Sequence, residues 1–280
     1  MSSFAFDQAE GLRRLLGGPK PRVVSLLSVL PEAEKSATLI NLAASLARAG
    51  SEALLLDAHL RADGVAGRLG DLPRATLMDV ARRERGLEQA VRMLPQGFRL
   101  AALASAGNRP AQLTAHARDL EQLFQQLAQQ SDILLADAVL GDDGMLPLPA
   151  LAAGELVVQV SADAASITAG YALIKRLNAA FGRRPFGVLV SGADERQAQL
   201  VFRNMAQAAN RYLALELHSF GSVPADDHIK RAARLGRAVV DAFPLAGASV
   251  AFRRLAGRLA PSELPSGNYS LLAGGVNRGI

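Results

Sequence analysis

The chain contains no cysteine. Disulfides, thiolate metal sites and thiol nucleophiles are therefore excluded. It has no tryptophan, and only 10 Phe and 3 Tyr in 280 residues. The four histidines (His59, His116, His218, His228) are scattered and show no HExxH spacing, so a histidine-built metal site is not expected. No dense Lys/Arg block occurs; the net charge of +5 is mostly arginine spread along the chain. That pattern reads as a solvated basic surface and signals no direct nucleic-acid contact. No segment reaches about 18 uninterrupted apolar residues, the length a transmembrane helix needs. The opening MSSFAFDQAEGLRR lacks a charged region followed by an apolar stretch. A cytoplasmic location, or a peripheral one at the inner membrane, is the expectation.

What is present is an alternation of apolar runs and helical periods. RVVSLLSV (22–29), SEALLLDA (51–58), FRLAALAS (98–105), SDILLADA (131–138), GELVVQVSA (154–162), RPFGVLVSG (184–192) and LELHSFGSVP (215–224) read as buried strands. Helices are expected over 35–50, in two pieces within 76–93, and over 113–130, 163–182, 194–213, 226–236 and 247–260. Near-continuous apolar strands alternating with helices predict an α/β fold, a mostly parallel sheet with helices on both faces. Residues 7–18 predict a short separate helix, and 261–280, rich in Pro, Gly and Ser, an irregular tail. The expected division is a regulatory helix in 1–19, one domain over 20–260 and the tail 261–280.

Ligands of parallel α/β sheets bind beyond the carboxyl ends of the strands. Loops 29–36, 57–66 and 137–144 lie there, and two of them open with Asp57 and Asp137. The first, SVLPEAEKSAT, carries Lys35-Ser36 where a phosphate loop would sit. In such a loop the Lys reaches the β- and γ-phosphates, the hydroxyl binds Mg²⁺, and a carboxylate orders the metal's waters. ATP and Mg²⁺, the latter through Ser36, are the cofactors this arrangement would take.

The order of elements resembles the MinD/ParA group of P-loop ATPases, whose loop reads KGGxGKT. Within it the chain is similar to the FlhG/FleN regulators of flagellar number and placement. Three stretches carry the resemblance: DQAEGLRR (7–14), similar to DQAxxLR; SITAGYALIKRLN (166–178), similar to SITDAYALIK; and FGSVPADDHIKRA with LGRAVVDAFP toward the C-terminus. The resemblance implies Lys35, Ser36, Asp57 and Asp137 as nucleotide-binding residues. It also implies that Asp7, Gln8, Leu12 and Arg13 contact an FlhF-type signal-recognition GTPase and stimulate its hydrolysis, Gln8 orienting the water. Basal-body or transcription factors are further partners of such a regulator.

The loop departs from the family pattern. Its signature Lys falls on Leu30 and its glycines on Pro31, Glu32 and Glu34. Glycines let successive N–H groups converge on phosphate, which Pro31 and two acids oppose. The second acid of the family's D-x-D becomes His59, and an adenine-contacting Asn becomes Ser191. No catalytic residue is assigned. Two readings follow. One is a pseudo-ATPase working by protein contact, with Lys35, Asp57 and Asp137 kept for structural roles, a cap on the sheet and bonds to turn amides. The other is a MinD-like ATP-dependent switch that forms a homodimer on the membrane. The loss at Leu30 weakens the case for a homodimer. The tail, with Leu271, Leu272, Val276 and Ile280 but three glycines between them, predicts weak or no membrane binding.

Overall fold

The computed structural model describes residues 21–60, 63–70, 73–105, 107–108 and 110–260. The helix expected at 7–18, with Asp7, Gln8, Leu12 and Arg13, and the tail 261–280 lie outside the described residues. Eight strands form one sheet: β1 (Arg22–Ser28), β2 (Ala53–Asp57), β3 (Val91–Met93), β4 (Arg99–Ala102), β5 (Ile133–Asp137), β6 (Glu155–Ser161), β7 (Phe186–Ser191) and β8 (Leu217–Val223), ordered β3-β4-β2-β5-β1-β6-β7-β8. Every pairing is parallel except β3 with β4. The expected mostly parallel sheet is thus observed.

Helices cover both faces because strand side chains alternate between them. On one face Leu54, Leu56, Leu134, Val158 and Val188 pack with α3 (Leu77–Ala81), α6 (Ala117–Gln129), α7 (Ala164–Phe181) and α8 (Glu195–Leu213). On the other, Val24, Leu55, Leu135, Val157 and Leu189 pack with α1 (Glu32–Arg48), α2 (Val65–Leu69), α9 (Asp227–Arg234), α10 (Val239–Ala242) and α11 (Gly247–Leu259). Two short α-helices, α4 (Leu87–Ala90) and α5 (Pro110–Ala115), and a 3-10 helix at Pro149–Ala152 complete the set among the described residues.

Several elements differ from expectation, among them α2 and α10, which fall where no helix is expected. The helix expected from residue 35 begins at Glu32. The pattern over 113–130 is broken at His116 into α5 and α6. The region 76–93 ends in β3, a strand too short to show a period. It is held to β4 by a tight turn in which Leu94 N–H donates to the Phe98 carbonyl and Gly97 adopts φ 89°. Among the described residues, no helix is long and apolar enough to cross a membrane.

Candidate functional site

β1, β2 and β5 are adjacent, so their carboxyl ends bring Lys35, Asp57 and Asp137 together. Asp57 and Asp137 are register partners on neighbouring strands. Ser36, the fourth predicted residue, follows Lys35 on α1 and is buried.

The loop into α1 is short because its sequence favours helix. Pro31 occupies the N-cap with φ −53°, a value its ring imposes, and Glu32 and Glu34 supply the first-turn acids that a helix N-terminus favours. The N–H groups of Glu34 and Lys35 both donate to the Pro31 carbonyl, at 2.8 and 3.2 Å. Donors that a phosphate loop turns outward onto an anion are here bonded inside the first turn. Glu34 points to solvent, whereas Glu32 turns inward.

Lys35 is only 1% exposed. Its Nζ lies 2.8 Å from Asp137 Oδ1, 3.1 Å from Glu32 Oε2 and 3.1 Å from His59 Nε2. It also donates to the Ala138 carbonyl at 3.2 Å. Glu32, His59 and Asp137 offer ligand atoms within 4.8 Å of one another, a spacing suited to a cation, and the ammonium of Lys35 fills that cage. A buried carboxylate and ammonium both pay a large desolvation cost, and the pair survives because each is bonded on several sides.

The carboxylates are tied down by the 57–66 loop. Asp57 accepts from the N–H groups of His59 (2.9 Å) and Ala66 (2.8 Å), and Asp137 Oδ2 accepts from Val65 N–H (3.0 Å). Gly64 permits this close wrapping: a Cβ there would stand 2.3 Å from Asp57 Oδ1. Burial pushes the Asp57 carboxyl above its ordinary range, against the two backbone N–H groups that favour the anion. Burial pushes Asp137 the same way, but the hydrogen bond from His59 and the charge of Lys35 outweigh it and hold the carboxyl low.

For His59, burial disfavours the imidazolium. The hydrogen bond and charge of Asp137 prevail, with Asp57 assisting and Lys35 opposing, and the net direction is up from 6.5. A group raised in the folded state lends stability that is fully present below its unfolded value and lost as pH rises through the folded one. The stability advantage of the wild type over His59→Gln is therefore expected to shrink as pH climbs from about 6.5 into the alkaline range. Urea midpoints of both proteins at a series of pH values check this; an advantage that does not fall would show that the ring stays neutral throughout.

The crevice beside Lys35 has a volume of about 330 Å³ and is lined by Ser28, Val29, Val139, Leu140, Leu173 and Arg176 among others. Ser36 Oγ is buried with no hydrogen-bond partner. Ser191 is engaged by Gln159, whose side-chain amide donates to both Ser191 Oγ and Thr38 Oγ1 at 2.9 Å, joining β6, β7 and α1. Sequence reasoning missed Glu32 and His59 as partners of Lys35. The available signals were the i, i+3 spacing of Glu32 and Lys35, which places both on one helix face, and the position of His59 two residues beyond Asp57.

No family model matches the chain. Over 235 residues it is 33% identical to the antiactivator FleN of Pseudomonas aeruginosa, covering 83% of this chain and 84% of that one. The chain belongs to the FleN family. Its fold is that of the MinD/ParA ATPases. Among solved structures, MinD of Pyrococcus furiosus superposes with a TM-score of 0.63 at 23% identity, covering 85% of this chain and 98% of the other. MinD of Pyrococcus horikoshii, solved with Mg-ADP, gives 0.63 at 22% identity, covering 85% and 95%. Lys35, Asp57 and Asp137 of this FleN-family chain stand at the strand ends where a parallel α/β sheet places its ligand.

Proposed function

We propose that this FleN-family chain is a regulator of flagellar number and assembly that works by protein contact, with a nucleotide crevice closed by its own side chains. The observation that carries this reading is the engagement of Lys35 by Asp137, Glu32 and His59 within the chain. Mg-ATP does not fit the arrangement. Ser36 Oγ is free to meet a metal ion, but Lys35 is already neutralised, a carboxylate stands where phosphate charge would lie, and the N–H groups of Glu34 and Lys35 are spent on Pro31. If the crevice opened, Lys35 would hold phosphate oxygens, Ser36 the Mg²⁺, and Asp57 and Asp137 the ion's waters.

Contact with an FlhF-type GTPase is assigned to the N-terminal motif, with Gln8 orienting the water and Asp7, Leu12 and Arg13 seating the helix. A glutamine amide can accept from and donate to a water without titrating, which suits that task. The test is GTP hydrolysis by the FlhF-type partner in the presence of the full chain. Stimulation is expected without ATP, unchanged when Mg-ATP is added, and lost in Gln8→Ala. Stimulation that requires ATP would sink the proposal, and stimulation that survives Gln8→Ala would remove the role of the motif.

A further inference from the structure

β8 is the last strand of the sheet, and its outer edge faces a groove rather than another element. The groove, of about 380 Å³, is walled by α8 on one face of the sheet and α11 on the other. Ser219, Gly221 and Ser222 of β8 form its floor, with Arg203, Arg254 and Arg258 around it. All three arginines are exposed, and one acid, Glu195, lines the same groove, bonded to Arg254 at 3.2 Å. The guanidinium groups of Arg203 and Arg258 carry no hydrogen bond or ion pair among the described residues. Arg258 lies across the strand at Gly221, which has φ +133°; a Cβ there would meet Arg258 Nη2 at 2.3 Å and Leu255 Cδ2 at 2.7 Å.

We infer that this edge receives an extended acidic segment of a partner protein, added to β8 as a ninth strand. An open edge presents outward N–H and C=O groups that an extended backbone can satisfy, and side chains flanking the edge select what is added. Here the flanking charge is positive on both sides, so an incoming strand bearing Asp or Glu at successive positions meets arginine on each face. Phe220 is an extra residue relative to β7, since Val188 aligns with Ser219 and Leu189 with Gly221. Such a bulge blunts indiscriminate pairing of an edge, which leaves selection to the arginines. The surface lies apart from the Lys35 crevice and does not depend on its state.

The test uses the full chain, isotope-labelled, and a seven-residue capped peptide, Val-Glu-Glu-Val-Glu-Glu-Val, which shows Glu on both faces when extended. Controls are its Lys counterpart, a form N-methylated at alternate residues, and a short oligothymidylate. The acidic peptide is expected to shift the amide resonances of Ser219, Gly221 and Ser222. Its affinity should fall about tenfold or more in Arg203→Glu/Arg258→Glu, consistent with two close charge contacts, and binding should vanish on N-methylation. Circular dichroism and the thermal midpoint establish that the double variant is folded; Arg203→Gln alone, expected to show a smaller loss, serves if it is not. Absence of shifts at β8, equal binding of the Lys or N-methylated peptide, or tighter binding of the oligonucleotide at the same residues would each overturn the inference.

Discussion

Mg-ATP titrated calorimetrically into the wild-type chain is expected to show no micromolar binding. A triphosphate reaching Lys35 would have to displace Asp137 and Glu32 from the ammonium, where they lie at 2.8 and 3.1 Å. Should Glu32 stay near, its charge would face phosphate at about 4 Å, a repulsion of roughly 4 kcal/mol at an effective dielectric near 20. That corresponds to about a thousandfold in affinity. Swinging Glu32 outward avoids the repulsion but leaves the backbone unchanged, with the N–H groups of Glu34 and Lys35 still bonded to Pro31. The triple variant Pro31→Gly/Glu32→Gly/Glu34→Gly removes both obstacles. Glycine releases the first turn of α1 and permits the conformations in which N–H groups converge on an anion. The triple variant is expected to bind Mg-ATP at least about a hundredfold more tightly than the wild type, most of the thousandfold deficit set out above. Micromolar affinity in the wild type, abolished by Lys35→Ala, would overturn the closed-crevice reading.

Replacing Asp137 with Ala should be among the most destabilising single changes in the protein. Asp137 is fully buried and partners both Lys35 and His59. Its removal takes the fully buried counter-charge from Lys35 and leaves only the half-buried Glu32; breaking a buried pair costs about 3–5 kcal/mol. Urea unfolding measures the loss directly. A loss below about 1 kcal/mol, the range of solvent-exposed pairs, would show that the cluster is hydrated and open. The double variant Lys35→Met/Asp137→Leu should recover much of the loss, because an apolar pair of similar volume escapes the desolvation cost of the ions.

The pH dependence of that loss has a defined sign. Asp137 is held below its ordinary 3.8 in the folded state, so its contribution is present above that value and disappears as pH falls through the folded one. The gap between wild type and Asp137→Asn should therefore close in acid. Asp57 acts in the opposite sense. Its carboxyl is raised, so ionisation costs stability above its folded value, and acid relieves the cost. Two carboxylates on adjacent strand ends thus respond to acid in opposite directions, because one faces an ammonium and the other faces only backbone N–H groups.

Much of this architecture was legible in the chain. Seven of the eight strands are apolar runs bounded by turn residues, and their alternation with helical periods requires a covered, mostly parallel sheet. The eighth, Val91–Met93, is three residues long and exists because the turn at 94–98 folds it onto β4. Periodicity has nothing to report over three residues. The convergence of Lys35, Asp57 and Asp137 followed from their places at strand ends. The inward turn of Glu32 did not: on α1 both glutamates belong to the first turn, and only packing separates Glu32, beside Lys35, from the exposed Glu34.

By itself the sequence determined the order of elements, the faces that must be covered and the end of the sheet where charged residues meet. Those properties depend on spacing and polarity along one dimension. The tertiary structure alone decided which groups surround Lys35, since Glu32, His59 and Asp137 come from three separate segments, and only the two carboxylates among them neutralise it. It alone also placed the arginines of α8 and α11 on either side of β8, where helices some fifty residues apart in the chain flank one open edge.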